Sequence, residues 1–203
     1  MRVALTGTPG TGKTTVADLL ETDFEVVHLN DVIREEGLTG SVDEERDSLI
    51  ADLDAVRSRL DDYEAEHGDL LVESHLAHLF DADRVVVLRC APDELERRLL
   101  DRGESEAKTQ ENGPSAEPPR PFEADEADLA LARKARENAE SEALDVILSE
   151  AVERHGEERV YEVVTTDRTP EAVAQEVEAV VAGEREPSAG TVDYTDWLVG
   201  DPE

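Results

Sequence analysis

The chain has 203 residues, which is enough for one domain of ordinary size with a hydrophobic core. Acidic residues number 52 and basic residues 20, so the formal net charge is -32 at pH 7. A surface this negative repels nucleic-acid phosphates, which argues against nonspecific DNA binding, and it is best tolerated where molar salt screens charges within about 3 Å. We therefore expect a salt-rich cytoplasm and a solvated, halophilic type of surface rather than an acidic interaction tail.

Cysteine content and hydropathy limit the compartment and the kinds of metal site. Cys90 is the single cysteine, so the chain can form neither an intramolecular disulfide nor a zinc site built from cysteines. No segment approaches the roughly 18 apolar residues of a membrane span, and the chain start leads into a glycine loop before any signal-peptide core. These features predict a soluble cytoplasmic protein without a membrane partner.

Five short apolar segments alternate with segments of helical character. The predicted strands are residues 3–6, 24–29, 69–73, 84–89 and 160–165. Such an alternation predicts an α/β fold in which helices cover both faces of a parallel sheet, giving three layers.

Helix start signals appear twice in the first third of the chain. Asn30 and Asp31 are predicted to cap a short helix that runs through Arg34. Ser41 and Glu44 have the spacing of a capping box and predict the start of a longer helix.

Two later helices are predicted to begin with a first-turn proline. Pro92 begins a helix over residues 93–102 that is expected to stop at Gly103. Thr169 and Pro170 begin the last predicted helix in the same way.

Two segments have compositions that differ from the rest. Residues 104–126 are acidic and proline-rich with almost no apolar residues, which predicts a flexible insertion. The polar C-terminal stretch at 184–203 contains Tyr194, Trp197 and Leu198, and either a buried anchor or a contact with a partner would explain these side chains.

The most informative motif is G-x-x-x-x-G-K-[ST] at residues 7–14. Its glycines let backbone N–H groups turn inward around an anion, and the helix predicted over 13–20 adds its dipole. Lys13 would reach the β and γ phosphates of ATP, and the Thr14 hydroxyl would bind Mg²⁺. The motif lies between a predicted strand and a predicted helix, as a P-loop requires.

Residues that follow the third strand indicate phosphoryl transfer. Glu73 ends that strand, where its carboxylate would lie near Thr14 and hold Mg²⁺ through water, although a solvated strand-end acid is the alternative. His75 could orient a water or a phosphate acceptor, or it could be structural, with His78 as the polar partner.

Arginines supply the remaining candidates. Arg102, beside Gly103, is expected to lie over the triphosphate as part of a lid, whereas Arg97 and Arg98 are expected to form surface ion pairs. Arg34 either faces the acceptor nucleotide or pairs with a neighbouring glutamate on the helix surface.

With these residues placed, the chain resembles the adenylate kinase isoenzyme 6 family, adenylate kinase-like NTPases of ribosome maturation. The segments that carry this resemblance are the loop at 7–15, the acid-x-His motif at 73–75, Arg-Gly at 102–103, Glu-Asn-Ala-Glu at 137–140 and Asp-Trp-Leu at 196–198. It implies a nucleoside-monophosphate-kinase fold over about 1–182, with an acceptor-binding region at about 30–53, a lid at about 101–134 and a polar tail at 183–203.

The resemblance also implies roles for individual residues. Arg102 would contact ATP from the lid, Arg168 would line the adenine, and Glu73 and His75 would serve Mg²⁺ and catalysis. The implied phosphate ligands are Gly10, Gly12, Lys13, Thr14 and Thr15. Glu104 departs from the family, which usually has tyrosine there, and the insertion interrupts the lid.

Three functions follow as hypotheses. The first is transfer of a phosphoryl group from ATP to AMP, with some ATP hydrolysis. The second, implied by the resemblance, is an ATP-switched assembly factor that binds small-subunit ribosomal protein eleven and acts in rRNA maturation on the pre-ribosomal small subunit. The third is a small-metabolite kinase on the same fold.

Overall fold

The computed structural model describes residues 1–43, 48–111 and 126–199. The strands are Arg2–Thr6 (β1), Glu25–His28 (β2), Thr39–Asp43 (β3), Ser48–Ala51 (β4), Leu70–Glu73 (β5), Arg84–Arg89 (β6) and Val160–Val164 (β7). The helices are Lys13–Ala17 (α1), Leu29–Glu35 (α2), Leu53–His67 (α3), Pro92–Glu111 (α4), Glu126–Ala143 (α5), Val146–His155 (α6), Pro170–Ala182 (α7) and Asp196–Val199 (α8). Within the described ranges, no helix has the length and apolar character needed to cross a membrane.

Five strands form one sheet in the order β2-β5-β1-β6-β7, and every neighbouring pair is parallel. Each coincides with a predicted strand to within one residue at either end. The predicted α/β fold with a five-stranded parallel sheet is confirmed. Because β1 lies at the centre, the loop that follows it opens at the carboxyl edge of the sheet, where ligands bind in open α/β folds.

Alternation of side chains along β1 divides the core into two halves, as the pleat of a strand requires. Val3 and Leu5 pack in a cluster with residues of α1 and α7 on one face. Ala4 packs on the opposite face with residues of α2, α3 and α6. The sheet is therefore buried on both faces, and the predicted three-layer arrangement is confirmed.

The segment between α2 and α3 is a β-hairpin rather than a helix start. Ser41 lies in β3, which pairs antiparallel with β4, so the predicted capping box at this position is wrong. Asp52 caps α3 instead, because its Oδ1 accepts hydrogen bonds from the backbone N–H groups of Asp54 and Ala55 at 3.1 Å. Glu44 lies outside the described residues.

The short helix α2 starts earlier than its predicted cap. Asn30 and Asp31 lie inside the helix, which begins at Leu29 without a side-chain cap. Their side chains are engaged elsewhere: Ser74 Oγ donates to Asn30 Oδ1 at 2.9 Å, and Arg34 donates to Asp31 Oδ1 at 2.9 Å.

Gly103 does not end its helix, contrary to prediction, because α4 continues to Glu111. A Cβ added at Gly103 would lie 2.3 Å from Leu131 Cδ2. The glycine therefore allows α5 to approach α4 closely, and packing rather than termination explains its presence. Residues 104–111 of the predicted flexible insertion are helical, and 112–125 lie outside the described residues.

The C-terminal region begins as predicted and then folds back on the domain. Thr169 caps α7 with Pro170 in its first turn, although the short α8 follows it. Trp197 Nε1 donates to Asp93 Oδ1 at 2.5 Å, and the Arg136 guanidinium lies 4.0 Å from the centroid of the indole ring. The half-buried tryptophan therefore attaches the tail to α4 and α5, although no residue of α8 is buried and Leu198 is 41% exposed.

Candidate functional site

The glycine loop connects the central strand β1 to α1, which is shorter than predicted and ends at Ala17. Gly7, Gly10 and Gly12 have φ angles of 140°, 98° and 91°, a backbone region that residues with a Cβ rarely adopt. A Cβ at Gly7 would lie 2.5 Å from the Leu88 carbonyl oxygen. The three glycines thus give the loop the tight turn that the sequence motif predicts.

A cavity of about 550 Å³ opens over this loop. Most of the predicted site residues line it: Gly10, Gly12, Lys13, Thr14, Thr15, Glu73, His75, Arg102 and Arg168. The sheet edge contributes Glu73 and His75, α4 contributes Arg102, and the segment after β7 contributes Arg168. Gly10 and Arg168, which are 158 positions apart in sequence, therefore line a single chamber.

Lys13 is buried at the base of the cavity, with 7% of its surface exposed. Its Nζ donates to the carbonyl oxygens of Gly7 at 2.9 Å and Thr8 at 3.1 Å. Burial lowers the pKa of this ammonium group to about 8, although the nearby Glu73 and Glu142 carboxylates oppose the shift. The site holds a desolvated cation that an anion would stabilise.

Thr14 and Glu73 form the candidate Mg²⁺ site. Thr14 Oγ1 donates to Glu73 Oε1 at 3.3 Å, and the other carboxylate oxygen lies 3.1 Å from His28 Nδ1. Hydroxyl and carboxylate oxygens are the hard ligands that Mg²⁺ prefers, so the donor set fits this ion. In the described ranges no three His, Cys, Asp or Glu side chains cluster as metal ligands.

The two candidate histidines have different surroundings. His75 lines the cavity, and burial, Lys13 and His78 together lower its pKa to about 4, so the imidazole is neutral at physiological pH. His78 instead is buried, with Nδ1 3.1 Å from Thr6 Oγ1 and Nε2 2.8 Å from Glu150 Oε2. His78 therefore has a structural environment, and His75 alone of the pair faces the cavity.

Arg98 lies in the cavity wall one helical turn before Arg102. It donates to Glu94 at 3.0 Å, as predicted, and also to Thr165 Oγ1 at 3.1 Å and the Thr165 carbonyl at 3.0 Å. Arg97 forms only the predicted type of exposed ion pair, with Glu94 and Asp101. The spacing of i and i+4 between Arg98 and Arg102 was the sequence signal for a shared helix face.

The other two predicted arginines lie in contrasting places. Arg168 is fixed by hydrogen bonds to the carbonyls of Val164 at 3.1 Å and Ala172 at 2.9 Å, and by an ion pair with Glu176. Arg34 is exposed and does not line the cavity, and its partner is Asp31 rather than the following glutamates. The structure brings Arg168 to the site and leaves Arg34 outside it.

A buried ionic cluster next to the loop was not predicted. Glu142 of α5 accepts hydrogen bonds from Thr8 Oγ1, from Arg89 Nε at 2.8 Å and from the Cys90 backbone N–H at 3.1 Å. Arg89 also forms ion pairs with Asp145 and Glu162. The available signal was an arginine at the end of an apolar strand, since a buried guanidinium requires carboxylate partners.

Comparisons with known proteins agree with this geometry. A protein-family model described as "AAA domain" matches residues 3–118. A "Putative adenylate kinase" of Methanosarcina acetivorans is 47% identical over 140 residues, which cover 65% of this chain and 70% of that protein. The chain belongs to an adenylate kinase-like family of AAA-domain proteins. The matched range contains the P-loop, Glu73, His75 and Arg102.

Further relatives of this AAA-domain protein carry the same name. "Putative adenylate kinase" of Natronomonas pharaonis is 64% identical over 112 residues, or 55% of this chain and 64% of that protein. The protein of that name from Halobacterium salinarum strain R1 is 58% identical over 116 residues, or 57% and 66% of the two chains. The chain thus spans slightly less than two thirds of the length of these two relatives.

Solved structures of small kinases are more distant from this adenylate kinase-like chain. Shikimate kinase from Acinetobacter baumannii, in complex with shikimate, has a TM-score of 0.49 at 17% identity and covers 91% of this chain and 94% of its own. Shikimate kinase from Bacteroides thetaiotaomicron has a TM-score of 0.49 at 15% identity, covering 90% and 98%.

The shape of the P-loop in this AAA domain gives a first prediction. A Cβ at Gly10 would lie 2.9 Å from both Leu95 and Leu99 of α4, in addition to the strain of a positive φ. We expect Gly10→Ala to weaken ATP binding at least ~10-fold, because the loop or α4 must move. Gly190→Ala is the matched control, since Gly190 has a φ of 74° with no atom within 4 Å of an added Cβ. Calorimetry on both variants tests this, and equal ATP affinities would contradict it.

The lowered pKa of Lys13 gives a second prediction for this AAA-domain protein. With the pKa at about 8, roughly half of the molecules carry a neutral lysine at pH 8. Phosphates favour the charged form and raise the pKa, so Lys13 should take up about half a proton when Mg²⁺-ATP, whose terminal phosphate is already deprotonated, binds at pH 8 and almost none at pH 6.5. Calorimetry in two buffers of different ionisation enthalpy measures this uptake. Lys13→Arg, which keeps the charge without titrating, should show none.

Proposed function

We propose that the protein is a kinase that transfers the γ-phosphoryl group of ATP to a nucleoside monophosphate, with AMP as the first acceptor to test. The observation that carries this proposal is the convergence of Lys13, the Thr14–Glu73 pair, His75 and Arg102 on one cavity over a P-loop. The names of the relatives support the same class of reaction.

In this proposal the glycine loop binds the triphosphate. Its inward N–H groups and the start of α1 would bind the phosphates, and Lys13 would exchange its carbonyl partners for the β and γ oxygens. Thr14 and Glu73 would hold Mg²⁺, directly or through water. That ion neutralises developing charge on the phosphoryl oxygens when it is bound.

Arginines on α4 would act from the part of the cavity wall that this helix forms. Arg98 and Arg102 lie one turn apart, so both guanidinium groups can reach the same region of the chamber. Planar guanidinium suits the charge that spreads over a transferring phosphoryl group. His75, neutral because of its lowered pKa, would orient the acceptor hydroxyl or phosphate by hydrogen bonding.

Acceptor binding would use the α2 and hairpin side of the cavity. Asn30 lines the chamber from α2, and β3 and β4 are the next two elements along the chain. Closure over both nucleotides must exclude water, because otherwise ATP is hydrolysed instead of transferring its phosphate. Where closure is incomplete, water reaches the γ-phosphate, and we expect this to give some ATPase activity alongside the kinase activity.

Coupled assays in molar potassium chloride test the proposal. ADP should form from ATP plus AMP without matching phosphate release, in a 2:1 ratio to the AMP consumed, and the reaction should depend on Mg²⁺. Other nucleoside monophosphates, and shikimate for the small-metabolite alternative, are run in parallel. If no monophosphate raises ATP turnover, the kinase proposal is wrong.

A second candidate is an ATP-switched assembly factor for the small ribosomal subunit. The observation that favours it is the net charge of -32, since a strongly negative surface attracts basic ribosomal proteins, although high salt weakens the attraction. Phosphate release that rises with small-subunit ribosomal protein eleven and does not respond to AMP would support this candidate over the kinase.

A further inference from the structure

His28 is the last residue of β2 and is the register partner of Glu73, the last residue of β5. Neighbouring strands of a parallel sheet direct register partners to the same face, so the two side chains leave the sheet edge side by side. The P-loop helix lies next to this edge, because β5 also pairs with β1. The fold itself brings the histidine to the carboxylate.

The carboxylate of Glu73 has one partner on each oxygen. Oε2 lies 3.1 Å from His28 Nδ1, and Oε1 lies 3.3 Å from Thr14 Oγ1. The other ring nitrogen of His28 lies 3.4 Å from Asp18 Oδ1, on the outer side of the site. The imidazole is thus between an exposed carboxylate and a buried one.

Burial makes the histidine contact important for Glu73. Only 4% of the glutamate side chain is exposed, whereas 30% of the histidine side chain is exposed. A buried carboxylate oxygen requires a hydrogen-bond donor in place of the water that it loses. With Oε2 held by the ring, rotation of the carboxylate is restricted and Oε1 remains directed at Thr14.

We propose that His28 is a positioning residue for nucleotide-bound Mg²⁺, acting through Glu73. It holds one carboxylate oxygen so that the other faces the Thr14 hydroxyl and the ion between them. Hydrogen-bond partners of metal ligands typically change metal affinity 10- to 100-fold. This role rests on the Mg²⁺-ATP site of the proposed function, and it concerns the metal rather than the nucleotide.

Three variants test the role. His28→Ala removes the donor, and His28→Asn places an amide N–H near the position of Nδ1. His67→Ala is the matched control, because His67 is an exposed histidine at the end of α3. Calorimetry measures ATP affinity in EDTA and in excess Mg²⁺. The ratio of the two affinities gives the contribution of Mg²⁺ to ATP binding. Thermal unfolding of each variant monitors the fold.

His28→Ala should bind ATP in EDTA as the wild type does and lose about 10- to 100-fold of the gain that Mg²⁺ provides. His28→Asn should recover most of that gain, and His67→Ala should keep all of it. If Mg²⁺ increases the ATP affinity of His28→Ala as much as that of the wild type, the positioning role is wrong. It is also wrong if ATP affinity in EDTA is lost with a lowered melting temperature that asparagine does not rescue. No gain in the wild type would instead contradict the Mg²⁺-ATP site of the proposed function.

Discussion

Lys13→Met is expected to abolish ATP binding and, at pH 7, to make the protein at least as stable as the wild type. The binding loss should be ~100-fold or more, because the ammonium group is the buried cation closest to the loop carbonyls that phosphates would displace. Methionine is unbranched and nearly as long as lysine, and it removes the charge together with the hydrogen bonds to the Gly7 and Thr8 carbonyls.

The stability change follows from the pKa. A fall from 10.5 to about 8 means that the folded state disfavours the charged lysine by roughly 3 kcal/mol at pH 7, at 1.36 kcal/mol per pKa unit. Lost hydrogen bonds to the Gly7 and Thr8 carbonyls offset part of the gain. We expect Lys13→Met to raise the free energy of unfolding by ~1–2 kcal/mol.

The pH dependence has a defined sign. Between pH 8 and about 10 the unfolded wild type binds a proton at this lysine that the folded protein does not, so wild-type stability rises with pH. The excess stability of Lys13→Met over the wild type should therefore decrease between pH 8 and about 10. Denaturant unfolding at pH 7 and pH 9.5 measures it, with the exposed Lys134→Met as control. A variant that is less stable at pH 7 and still binds ATP would contradict both parts.

The strands and the P-loop could be predicted because their signals are local. Each of the five strands is an apolar run bounded by polar or turn residues, and the loop motif fixes its own backbone through Gly7, Gly10 and Gly12. Residues at the carboxyl ends of these strands, such as Glu73, then follow from the geometry of a parallel sheet.

Predictions failed where a residue serves a distant contact. The sequence predicts that Gly103 ends a helix, but the glycine instead leaves space for Leu131 of α5 to pack against α4. Ser41 reads as a cap, but β3 and β4 pair with each other and show no apolar alternation that would reveal strands. Local patterns cannot distinguish these uses because the deciding neighbour lies elsewhere in the chain.

The same limit applies to the site. Thr8 and Glu142 are 134 residues apart, and no motif connects the loop to α5. Arg34 follows the second strand in sequence, yet its helix directs it to solvent and to Asp31. Sequence identified the groups that would contact phosphate, whereas the groups that hold the loop became visible only in the fold.

Arg89→Met is expected to be the most destabilising of these changes, lowering the free energy of unfolding by ~3–5 kcal/mol. The arginine side chain is 1% exposed and pairs with Glu142, Asp145 and Glu162, of which Glu162 is fully buried. Removing the cation leaves three neighbouring carboxylates, two of them buried, without a compensating charge. The penalty comes from that isolation rather than from the worth of any single ion pair.

Two controls separate this explanation from a general effect of losing an arginine. Arg57→Met removes an exposed ion pair with Asp54 and should cost at most ~1 kcal/mol. Glu142→Gln should cost less than Arg89→Met, since Arg89 keeps two carboxylates, but it should weaken ATP binding because Thr8 loses its charged acceptor.

The pH dependence of stability tests whether the three carboxylates depend on Arg89. In Arg89→Met the crowded carboxylates can relieve their repulsion only by binding protons, so the folded variant should take up more protons than its unfolded chain. The difference in free energy of unfolding between Arg89→Met and the wild type should therefore become smaller as the pH falls from 7 towards 5. Denaturant unfolding in concentrated potassium chloride at both pH values measures this difference. If the loss of stability in Arg89→Met is the same at both pH values, or is no larger than the loss in Arg57→Met, the three carboxylates do not depend on Arg89.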